Sequence, residues 1–164
     1  MAFTSIKQIR ATDVHDVTTE KTGVLGSIAY TADGRQYRYA KNGATALAAG
    51  ADVETSATAA ATSTAAAAVV PGATRVVTAA TVSAPNAPKY EDGILTVASA
   101  KYLTSGVTGD TISLQDGIDV AIASGTATSL AANTYCGVVV KSAGTKIGAT
   151  ETAVPANAYF WLAV

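Results

Sequence analysis

Hydrophobic and polar positions alternate with a period of two along much of this chain, the pattern of strands with one face in a core. Val24, Gly26, Ile28 and Tyr30 alternate with Leu25, Ser27 and Ala29. Asp33-Gly34 follows, and Arg35 to Tyr39 alternate again. Asp-Gly between two alternating runs predicts a hairpin. Asn42-Gly43 marks another turn. Val76, Thr78 and Ala80 alternate with Arg75, Val77 and Ala79. Ala84-Pro85-Asn86-Ala87-Pro88 reads as a loop, since its prolines remove backbone donors. Tyr90-Glu91-Asp92-Gly93 turns into a strand at Ile94–Val97. Ile112 and Leu114 share one strand face; after the Asp116-Gly117 turn, Ile118, Val120 and Ile122 share another. Val138-Val139-Val140 reads as a short buried strand. Tyr159-Phe160-Trp161-Leu162 puts large apolar side chains on both faces of one strand, which then needs cover on both.

Two stretches lack this period. Residues 1–21 scatter Lys7, Arg10, Asp13, Asp16, Glu20 and Lys21, and read as an arm with one short strand at Ile6–Ile9. Residues 44–70 are rich in Ala and Thr, which define no faces. Ala favours helix and Thr does not. An extended segment with loops is expected there, with a short helix near 57–68 as the alternative. Short strands, Gly-rich turns and no amphipathic helix of 10–15 residues predict a mainly β fold. The expected form is a small antiparallel β-sandwich or barrel, jelly-roll-like, with an extended N-terminal arm. The arm covers 1–21, and a single β domain covers 22–164 with its Ala/Thr-rich segment at about 51–70.

Composition sharpens this picture. The 164 residues include 36 Ala and 24 Thr, so the apolar content is mostly small. Each buried Ala contributes much less than the roughly 1.5–3 kcal/mol of a buried Leu or Val. A thin core is often supplemented by burial between subunits, so an oligomer is expected. The net charge is −1, from 11 basic and 12 acidic residues. That balance lacks the basic excess of a phosphate-binding surface, and no nucleic-acid partner is expected. There is no apolar run of 18 residues, so no membrane partner is expected. The first residues form no apolar segment of signal-peptide length, which suits synthesis in a cytoplasm. The single Cys136 excludes an internal disulfide and a cysteine-cage metal site.

Catalytic chemistry is nearly missing. The one histidine, His15, lies in the expected arm beside Asp16, where nothing fixes a nucleophile and an orienting acid around it. Cys136 precedes a valine run and reads as a buried thiol. Asp110, Asp116 and Asp119 miss the spacing of a calcium loop and read as turn residues. No glycine pattern matches a phosphate cradle. No enzyme, cofactor or metal is expected. Arg35, Arg38 and Lys41 interleave with Tyr37 and Tyr39, as in a surface that stacks single-stranded bases. The simpler reading puts both tyrosines on an inward face and Arg38 on the wet one. Tyr159 and Trp161 are weighed both as core and as interface, where aromatic anchors are favoured. The candidate interface residues are Ile6, Ile9, Tyr37, Tyr39, Tyr159 and Trp161.

Several segments, in order, resemble the small head decoration (cement) proteins of tailed bacteriophages. They are Gly23 to Tyr30, Asp33 to Ala40, Ala46 to Gly50, Pro71 to Thr78, Tyr90 to Leu95, Ser129 to Val140 and Val154 to Trp161. Residues 98–110 and the Ala/Thr tract at 56–68 depart from the family pattern. The resemblance implies a non-enzymatic virion protein on the outer surface of an assembled capsid. Its implied partners are the major capsid protein and two further copies of itself. A different virion surface or fibre module, or a carbohydrate-binding adhesin, is the competing expectation; its ligand pocket would draw on the seven Tyr and one Trp.

Overall fold

The computed structural model describes residues 6–8, 13–56 and 61–164, the first three by their backbone alone. The fold is mainly β, as the alternation predicts, and includes a closed five-strand barrel. The strands are β1 (Ile6–Gln8), β2 (Ile28–Tyr30), β3 (Gln36–Asn42), β4 (Asp52–Glu54), β5 (Ala61–Thr64), β6 (Arg75–Val77) and β7 (Ile94–Val97). They continue with β8 (Ala100–Thr108), β9 (Thr111–Leu114), β10 (Ala127–Ala131), β11 (Cys136–Val140), β12 (Lys146–Ala149) and β13 (Tyr159–Ala163). The chain groups into two compact units: Thr58–Asn133, and Phe3–Ala57 together with Thr134–Val164. The first is inserted in the sequence of the second. The stretch read as one β domain thus carries two separate sets of core residues.

The discontinuous unit holds the barrel, in the order β3-β11-β4-β12-β13 and back to β3. Most neighbours are antiparallel, but β11 runs parallel to β3. Ala40, Leu47, Val53, Val138, Val154, Phe160 and Leu162 pack together as its main core. β2 extends the sheet from the first half of β3, with Ala29 opposite Tyr37, and β1 adds in parallel to β2. The predicted Asp-Gly hairpin joins β2 to β3: Gly34 takes a φ of +87° and its amide donates to Thr31. The strand expected over 24–30 is shorter than its alternation suggests. Gly26 at φ +89° turns the chain, and only Ile28–Tyr30 is strand.

β13 is covered on both faces within its own unit. Phe160 and Leu162 point into the main core, while Tyr159 and Trp161 point the other way. There they meet Leu25, Tyr39 and Cys136, with Val14, Ala29 and Tyr37 alongside. Residues 13–18 therefore do not behave as a free arm. Val14 is buried in this layer, and Thr18 bridges to Tyr159.

The inserted unit is one curled sheet, β5-β10-β7-β8-β9-β6. Its two edges meet through a single bridge, Ala65 with Thr78. One core fills it: Val76, Tyr90, Leu95, Val97, Ile112, Leu114, Ile118, Ile122 and Leu130 are its main members. The Ala/Thr tract is extended over 61–65, and 57–60 lie outside the described residues. The alternation at 118–122 reads differently in three dimensions. Ile118 and Ile122 are buried, but Val120 is 52% exposed, because this segment forms one bridge rather than a ladder.

Candidate functional site

The densest arrangement of functional side chains is the outer layer of the barrel on β3 and β13. Antiparallel register sets Tyr39 opposite Trp161 and Lys41 opposite Tyr159. Tyr39 stacks on Tyr159 at 5.9 Å between ring centres and meets Trp161 at 5.1 Å. The Tyr39 hydroxyl accepts a hydrogen bond from the Thr22 amide at 2.9 Å. Arg38 lies 5.6 Å over the Tyr135 ring and donates to the Gly26 carbonyl at 2.7 Å. Lys41 lies 5.3 Å over Tyr159. Rings and cations are thus engaged with one another, which favours the inward-tyrosine reading of this cluster over base stacking.

Of the candidate interface residues, Tyr37, Tyr39 and Tyr159 are buried, with 0%, 3% and 7% exposure. So little of their surface is left that their main contacts are inside the unit. Trp161 is partly exposed. Ile6 stands in β1, and Ile9 lies outside the described residues.

Beside this layer, the β2–β3 turn meets the segment after β12. The Tyr37 hydroxyl donates to Glu151 Oε1 at 3.0 Å, and Arg35 Nη1 reaches the same oxygen at 3.3 Å. Burial first, and then the Glu151 carboxylate, push the Tyr37 hydroxyl above its ordinary pKa. The Thr31 hydroxyl, helped by Arg35, holds Asp33 below the usual carboxylate range despite partial desolvation.

The chain matches no protein-family model, no curated protein and no solved structure.

The remaining candidates are dispersed. His15 is exposed in a single 3-10 turn at Asp13–His15. Cys136 is buried as a free thiol. Asp119 accepts from the Tyr102 hydroxyl at 2.6 Å, and Asp110 from its neighbour Thr111 at 3.1 Å. Among the described residues no three His, Cys, Asp or Glu side chains gather as a metal ion would need.

One polar residue escaped the sequence reading. Glu54 is 9% exposed at the end of β4 and takes hydrogen bonds from Ser142 and Gly144. Partners so distant in sequence leave no local motif, so nothing in residues 50–58 signals the contact.

Proposed function

We propose that this protein is a structural component of a phage virion. It binds the outer surface of an assembled capsid as a homotrimer and stabilises contacts between major capsid proteins. It is made in the host cytoplasm, acts without a cofactor and carries no catalytic activity. The reading rests on the ordered resemblance along the sequence. The structural observation that best supports it is β1. The N-terminal stretch supplies an edge strand, and among the described residues its only neighbour is β2. An open strand edge recognises another sheet through its backbone, whatever the side chains. A strand of the major capsid protein is the partner suited to it.

The physical mechanism is linkage. A protein that binds only the assembled lattice stabilises that lattice by mass action. A trimer with three such edges gains further through multivalency.

The test is cosedimentation with expanded, DNA-free capsids assembled from its phage's major capsid protein. The full chain should pellet with them and raise the temperature at which they break. A chain lacking residues 2–12, which keeps Val14 and Thr18 in place, should stay in the supernatant. No binding by the full chain rejects the capsid reading. Equal binding by the shortened chain rejects the role of β1. Light scattering on a sizing column then decides the trimer, at three times 16.3 kDa.

A further inference from the structure

The connection from β11 to β12 is short for what it does. Both strands pair antiparallel with β4, one on each side of it, and both start at its Glu54 end. β11 runs out beside Asp52, whose carbonyl accepts from the Lys141 amide at 2.8 Å. Residues 141–145 must then return across β4 to reach Lys146, which pairs with Glu54. Connections between parallel strands usually take about a dozen residues or more. This one is shorter because β4 is only three residues long.

The amides of such a crossing lie over a strand rather than beside one. Val53 points into the barrel core, so alternation sends the Glu54 side chain to the opposite face. There its carboxylate stands in for a neighbouring strand. It accepts from the Gly144 backbone amide at 2.6 Å and from the Ser142 hydroxyl at 3.2 Å. A Cβ at position 144 would sit 2.6 Å from Glu54 Oε2, so a side chain there would have to displace the carboxylate.

We propose that residues 141–145 form an acid-released strap, held across β4 by the Glu54 carboxylate and freed when that carboxylate is neutralised. A neutral carboxyl is a weaker acceptor and carries a proton that points at donors. Burial opposes the charge on Glu54, but the Ser142, Gly144 and Ala143 amides outweigh it and hold the group below the usual carboxylate range. The sign follows. A lowered native pKa contributes stability above the unfolded value, and that stability is lost as pH falls through the native one. Charged groups on the surrounding elements are Asp52 of β4, Lys146 of β12 and Lys141 of the strap. Asp52 and Lys146 pair with each other at 2.7 Å. β11 offers Val139 and Val140 at this level, which do not titrate.

The experiment is amide hydrogen exchange by NMR on the full chain, read as protection factors from about pH 6 down to about pH 3. Protection at the Gly144 amide, which bonds the carboxylate, should fall about tenfold for each unit by which the strap lowers the Glu54 pKa. The Phe160 and Leu162 amides should keep theirs. In Glu54→Gln the Gly144 amide should be weakly protected at every pH, with no step. Strap protection that persists to the lowest pH overturns the proposal. So does a loss that coincides with loss at Phe160 and Leu162. The unmodified protein decides this by itself, whether or not the variant folds.

Discussion

The two units solve the same problem, a β-sheet built from small residues, in different ways. The inserted unit covers one face of its sheet with a largely aliphatic core in which Tyr90 is the one fully buried ring. The barrel unit closes its sheet and adds a second, aromatic layer outside, so β3 and β13 are buried on both faces. The difference shows how a sequence poor in Leu and Ile builds a stable strand. It concentrates its few rings on two paired strands and covers them from both sides.

The largest effect should come from the two cores. Phe160→Ala should cost about 3–5 kcal/mol, and Leu95→Ala about 2–5 kcal/mol. Urea unfolding, followed by circular dichroism and by emission from Trp161, the one Trp, measures both. A larger loss from Leu95→Ala would reverse the ranking of barrel over open sheet. Next comes the buried polar tie of the inserted unit. The Thr104 hydroxyl, fully buried, donates to the Tyr90 carbonyl at 2.6 Å. Thr104→Val should cost about 1–3 kcal/mol by leaving that carbonyl without its donor. A neutral result would mean that this sheet depends on its apolar core alone.

Smaller still is the contrast between two buried tyrosines. Tyr37→Phe removes the donor to Glu151 and should cost about 1 kcal/mol. Burial alone raises the pKa of Tyr90, and Tyr90→Phe should stay within about 0.5 kcal/mol of wild type. Equal losses would erase that contrast. One change should be a gain. Ala98 and Ser99 form the two-residue β7–β8 turn with φ of +46° and +76°. Positive φ at both positions favours Asn-Gly. The double variant Ala98→Asn, Ser99→Gly should raise stability by about 1 kcal/mol in the same urea assay.

That turn also explains what the sequence concealed. Among the described residues β8 is the longest strand, nine residues, and no alternation in the sequence marks it. Its turn lacks the usual residues, and a register shift between Thr104 and Gly106 breaks its period. Elements with strong local chemistry were legible: the Asp33-Gly34 hairpin, β7, β9 and the two-faced strand at Tyr159. What covers the second face of that strand was not, because Val14 and Leu25 meet Trp161 and Tyr159 across most of the chain. The candidate interface was legible only as a choice of aromatic residues. Tyr37, Tyr39 and Tyr159 are buried within the unit, and alternation cannot measure burial.

The insertion of one unit within the other sets an order of events on the ribosome. The sheet of the inserted unit is drawn from one continuous stretch, Ala61 to Ala131, and can assemble once that stretch has emerged. The barrel cannot close then, because Tyr37 waits for Ala163 and Lys41 for Tyr159. Contacts so distant in sequence form late. During synthesis the nascent chain therefore carries a finished module between two unfinished ends, and β3 keeps an unpaired edge until translation reaches β13.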